Sequence, residues 1–82
     1  MAEIGKITHF FSKISVAVLE ITKGSLKVGD TIHIRGRATD FEQPINSMQI
    51  EHESVEEAKK GQSIGLKVAE PVHEGDRVYV GE

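Results

Sequence analysis

Apolar side chains recur at every second position of this chain, in short runs closed off by Gly, Asp or a Lys-Gly pair. That period is the strongest constraint on its fold. Ile32 and Ile34, then Ile64, Leu66 and Val68, then Val78 and Val80 carry the pattern, with Thr31, His33 and Arg35, Gly65 and Lys67, and Arg77 and Tyr79 interleaved. Successive side chains of a strand point to opposite faces, so each run predicts a strand with one dry and one wet face. Half-buried strands of this kind are characteristic of antiparallel sheets.

Other segments depart from strict alternation. Ile14, Val16 and Val18 begin one phase and Leu19 and Ile21 another, which predicts a bulge near Val18 to Glu20. Ile4 to Phe11 carries Gly5 where a side chain would obstruct close packing, and adjacent Phe10 and Phe11 that cannot both point inward, so a bend is expected there. Two glycine turns fall between Lys23 and Asp30, and the stretch from Asp40 to Pro44 interrupts the next pair of strands. Ser54 followed by Glu57 has the form of a capping box, and Gly61 follows, so a short helical turn is expected between Ser54 and Lys60. Gly29-Asp30 and Gly75-Asp76 each precede an alternating strand, an echo that reads as repeated turn chemistry. The expected fold is all-β, a small closed antiparallel barrel of six or seven strands forming one domain over residues 1–82, because closure removes exposed strand edges.

Composition narrows the function. With 82 residues and 38% apolar content there is material for one core. No run approaches the roughly 18 uncharged apolar residues of a membrane span, and the first residues lack a secretory pattern, so a soluble cytoplasmic protein without membrane association is expected. The absence of cysteine excludes disulfides and thiolate metal sites. The formal charge of −3 argues against an indiscriminate nucleic-acid coat. It conceals a gradient, since residues 1–41 hold six basic and four acidic side chains (+2) and residues 42–82 hold four and nine (−5).

Catalytic and metal chemistry find little support. Gly5-Lys6-Ile7 lacks the upstream glycine and the hydroxyl of a phosphate-binding loop, so no nucleoside triphosphate is expected to bind. His9, His33, His52 and His73 do not fall at ligand spacings, and no serine lies in a Gly-x-Ser-x-Gly context. Glu51, Glu53, Glu56 and Glu57 form an acidic run without the glycine a calcium loop uses to turn. No cofactor, metal or enzymatic activity is therefore expected. Lys6, Lys13, Lys23, Lys27, Arg35 and Arg37, with Phe10, Phe11 and Phe41 nearby, offer cations for RNA phosphates and rings for unpaired bases.

Taken together, Gly5-Lys6-Ile7, Leu26 to Ile32 and the stretch from Ser47 to Leu66 resemble domain II of the translational GTPases, the β-barrel of elongation factor Tu-like proteins. The resemblance covers nearly the whole chain and implies that barrel fold. The GTPase motifs of that family lie upstream of its barrel and are not among these residues, so only the binding roles carry over. Family barrels contact ribosomal RNA, and some hold the terminal adenosine of tRNA beside the segment matching Met48 to His52, where Gln49 stands at the position of a glutamate. A similar barrel is also attached to U32-type peptidases, some linked to tRNA modification.

Three expectations follow. The first is a translation elongation factor-like binding module that contacts RNA, either tRNA or the ribosome, or a translation-related protein. Lys13, Arg35 and Arg37 would meet phosphates, and Gln49 with Ile50 would contact a base. The alternative is a protein-interaction module that docks onto a larger enzyme, such as a U32-type peptidase or a tRNA-modifying enzyme. A third, a small metal- or ligand-binding barrel, rests on the four histidines.

Overall fold

A computed structural model describes residues 2–51 and 53–80; His52, one of the four histidines noted above, lies outside them. Ten strands are present among the described residues and no helix: β1 (Ala2–Phe11), β2 (Val16–Ile21), β3 (Ser25–Lys27), β4 (Thr31–Arg35), β5 (Asp40–Pro44), β6 (Met48–Ile50), β7 (Glu53–Val55), β8 (Glu57–Lys59), β9 (Ser63–Lys67) and β10 (Arg77–Val80). Eight of them form one antiparallel sheet in the order β5-β4-β10-β1-β2-β9-β6-β7, and β3 pairs with β8 in a separate ribbon. The alternating runs are thus strands, as the period requires. Ile32, Ile34, Ile64, Leu66 and Val78 are buried, and the residues between them face outward.

The barrel is not fully closed, which corrects the expectation of a closed six- to seven-stranded cylinder. The outermost strands β5 and β7 do not pair, and β6 meets β9 at a single register pair, Gln49 with Gly65. Pro44 ends β5, and the Ile45 backbone turns away to bond Gly29 and Asp30. Across the remaining seam the Gln43 side chain does the work of a missing peptide unit. Its amide nitrogen donates to the Lys67 carbonyl (2.9 Å) and its oxygen accepts from the Ala69 N–H (2.8 Å).

Two other expectations are corrected. Residues 54–60 form β7 and β8 and not a helical turn, because Val55 pairs opposite Met48, and Ala58, fully buried, pairs opposite Leu26. Tertiary pairing overrides a capping-box pattern that no apolar helical run follows. On β2 the buried phase is Ala17, Leu19 and Ile21 throughout. The irregularity lies on the facing strand, where Ile7 pairs with Leu19 but His9 with Val18, leaving Thr8 as the extra residue. Val16 and Val18 therefore face outward.

Turn chemistry explains how the chain is steered. Both Gly-Asp corners use one device, with glycine at positive φ (101° at Gly29, 91° at Gly75). The Asp carboxylate accepts the N–H three residues back, from Lys27 to Asp30 at 3.0 Å and from His73 to Asp76 at 2.9 Å. Gly5 is required by close approach, since a β-carbon there would collide with the Glu20 carbonyl.

Candidate binding surface

The outer side chains of β1, β2, β9 and β6 stand in register rows. Phe11, Val16 and Lys67 make one row, and His9, Val18, Gly65 and Gln49 the next. Gly65 offers no side chain, so the second row dips between Val18 and Gln49. The depression of about 310 Å³ has Gly65 at its floor, Val16, Val18, Phe11 and Ile14 among its walls, and Gln49 and Glu51 at its far side. A neighbouring hollow shares Val16, Gln49 and Gly65 and leads through Ser47, Leu66 and Lys67 to the cavity at the open seam beside Gln43. The three make one groove across the outside of the sheet. It begins at the β1–β2 turn, where Phe11 is 51% exposed and stacked on His9 at 6.3 Å, and Ile14 is 60% exposed.

A second surface lies on the other arm of the sheet. Lys6 on β1, Arg77 on β10 and Arg35 on β4 stand directly opposite one another, flanked by Glu20 on β2 and Asp40 on β5. Arg77 is bound by both oxygens of Glu3 (2.9 and 3.2 Å). Like charges in adjacent register positions disfavour one another, and Glu20 beside Lys6, Glu3 on Arg77 and Asp40 beside Arg35 offset that repulsion. In the next row His33 sits between Tyr79 and Glu42. Its Nε2 meets Asp40, and its Nδ1 faces Glu42 at 3.8 Å. The hydrogen bond from His33, assisted by the charges of His33 and Arg35, holds the Asp40 carboxyl below the usual aspartate range despite some desolvation.

The residues expected to bind RNA fall in separate places. Gln49 is exposed beside the Gly65 floor, whereas Ile50, on the opposite parity, packs half-buried against the core. Lys13 lies exposed in the β1–β2 turn, Arg35 belongs to the cationic row, and Arg37 is in the turn after β4. Arg35 stands in register with Arg77 and Asp40, and Gln49 with Gly65 and Ser54, so strand pairing does not bring Arg35 and Gln49 into one row. Phe10 and Phe41 pack against the core, leaving Phe11 as the exposed ring. Sequence reasoning missed Val16, Val18 and Gly65 as walls and floor, and Lys6 and Arg77 as partners of Arg35. The signal for the walls is the double phase of residues 14–21, which marks apolar residues on both faces of β2.

Among the described residues no group of three His, Asp or Glu side chains is placed to hold a metal ion, and no helix is long and apolar enough to cross a membrane. A second His–Asp approach besides His33 and Asp40 is at His73, whose Nδ1 lies 3.2 Å from Thr39 Oγ1 and 3.8 Å from buried Asp76. The Asp76 carboxylate is already engaged by the His73 N–H.

Residues 15–74 match the family model described as elongation factor Tu domain 2. The chain belongs to that family. The resemblance read from Leu26 to Ile32 and Ser47 to Leu66 is therefore correct, and the curled β-sheet is a domain 2 fold. This domain 2 is 49% identical over 79 residues to an uncharacterized protease of Methanocaldococcus jannaschii, an alignment covering 95% of this chain and 19% of that protein. It is 39% identical over 77 residues to a collagenase of Porphyromonas gingivalis, covering 93% of this chain and 21% of the collagenase. The chain thus spans about a fifth of the length of the curated relatives it matches. Among solved structures, the C-terminal domain of a Geobacillus thermoleovorans protein described as a U32 peptidase superposes with a TM-score of 0.89 at 17% identity, covering 95% of this chain and 98% of that one. At that identity the likeness speaks for the domain 2 fold alone.

Proposed function

We propose that this domain is a non-catalytic accessory module serving a larger U32-type peptidase or related enzyme. One observation carries the reading. Nearly the whole chain aligns, at 39–49% identity, with segments that make up only 19–21% of a protease and a collagenase. A unit found at that similarity inside long chains points to a shared accessory role, and the remaining four-fifths or so of each chain leaves room for a catalytic domain. The alternative drawn from the sequence, a module docking on such an enzyme, is thereby preferred to a role in translation. The test is affinity isolation of the tagged chain after nuclease treatment, followed by sedimentation. A stoichiometric complex with a U32-type protein is the expected result. Recovery of RNA alone, lost on nuclease treatment, sinks the proposal.

RNA contact is retained as a second reading because of the row of Lys6, Arg77 and Arg35. Each phosphate neutralised steepens the salt dependence of binding to single strands by about 0.7 in the log–log slope. Arg35→Ala with Arg37→Ala is expected to flatten that slope. An unchanged slope removes RNA from these residues.

A further inference from the structure

We propose that the outer apolar face around Phe11 and Ile14 is the surface on which this domain packs against the body of the U32-type protein it serves. The inference rests on the reading above and adds the place of contact. Among the described residues, Phe11 and Ile14 are two of the three large apolar side chains left exposed, and they sit together at the β1–β2 turn. Half-buried Val16 and Val18 extend the patch inward along β2, and the glycine floor at Gly65 gives it a concave centre. A concave apolar surface with a protruding aromatic is suited to burial against a protein, because truncating such anchors removes a large share of binding energy. Left uncovered, it is an aggregation liability.

Chain length argues for the occupant. In the matched protease and collagenase this domain is 19–21% of the polypeptide, so the rest is about four times its size. In the superposable U32 structure the domain is C-terminal, so there the body precedes the strand equivalent to β1. From its entry point at Ala2, β1 leads directly to Phe11. The domain is 29 Å in its longest extent, and a body about four times its mass is broad enough to lie along that strand and reach the turn.

The experiment measures binding of the purified chain to the U32-type protein isolated with it in the affinity experiment above. The double variant Phe11→Ser/Ile14→Ser is expected to bind roughly tenfold or more weakly, while Lys59→Ser/Lys60→Ser stays within about twofold because both are exposed at the β3–β8 ribbon, beyond the Ile21 end of β2 and away from the β1–β2 turn. Circular dichroism and melting establish that each variant is folded. As a second measure that preserves aromatic bulk, Phe11→benzoylphenylalanine is photolysed in the complex, and a cross-link to the partner's body is expected. Equal binding by wild type and the Phe11/Ile14 variant, or a cross-link found only between two copies of this chain, overturns the assignment of the surface. No binding by wild type overturns the underlying reading instead.

Discussion

Gly36 and Asp76 share one volume: the Asp76 carboxylate lies where a β-carbon at position 36 would stand. Asp76 is buried and accepts the His73 N–H, while its own carbonyl accepts the Ile7 N–H at 2.7 Å. The carboxylate therefore braces the turn before β10 and packs it closely against the backbone just after β4.

Gly36→Ala must push that carboxylate out of place. We expect a loss of about 1–3 kcal/mol, combining overpacking with a weakened buried hydrogen bond. Chemical denaturation monitored by circular dichroism reads it. An unchanged midpoint means that the turn yields without cost.

Gln43 closes the seam by side-chain hydrogen bonds alone. In Gln43→Glu the carboxylate still accepts from Ala69 but can no longer donate to the Lys67 carbonyl, and Gln43→Met makes neither bond. Amide exchange at Ala69 is expected to accelerate about tenfold in Gln43→Met, corresponding to a local loss near 1.4 kcal/mol. Exchange as slow as in wild type assigns the closure to other residues.

Asp40 has a depressed folded-state value because His33 donates to it. A carboxyl with a lowered folded pKa stabilises the fold above its unfolded value of 3.8, and that contribution fades as the pH falls through the lower folded value. The stability difference between wild type and Asp40→Asn should therefore shrink below about pH 4. In an NMR titration, His33→Gln should move the Asp40 midpoint upward. A midpoint unaffected by that change removes the histidine as its cause.

Gly65 has room for a methyl group, its nearest neighbour being Val16 at 3.6 Å, and it is not among the positive-φ glycines. Gly65→Ala should stabilise the domain by about 0.4–1 kcal/mol through the unfolded state while raising the floor of the groove. A melting point that rises while partner binding falls identifies Gly65 as a residue kept for the surface. Binding unaffected by the methyl places the contact elsewhere.

Leu26, fully buried opposite Ala58, is the inward anchor of the β3–β8 ribbon. Leu26→Ala is expected to cost about 2–4 kcal/mol. A loss below about 1 kcal/mol indicates that the ribbon collapses onto the core and fills the space.

Much of the architecture was legible because period-two alternation reports directly on which face is dry, as at Ile32 to Ile34 and Val78 to Val80. Ser54 to Lys60 misled because the Ser-x-x-Glu spacing is local, whereas Ala58 is committed by Leu26, 32 residues away. On β2 the inward residue at the start of the strand is the small Ala17 and the outward ones are valines, so side-chain size pointed to the wrong phase. Arg35 was visible as a charge, but its alignment with Arg77 and Lys6 is a property of register between strands far apart in sequence. Incomplete closure was hidden because a glutamine bonding like a peptide unit has no sequence signature.

The pairing of Ala2 with Val80 has a consequence for how such a unit travels between proteins. Entry and exit of the chain lie on neighbouring central strands, so the domain can be spliced into a host, or appended to one, through a single point of suture. The same adjacency makes folding wait on synthesis: the earliest strand has to remain half-mated until the last has been translated, so the finished sheet is a post-translational event.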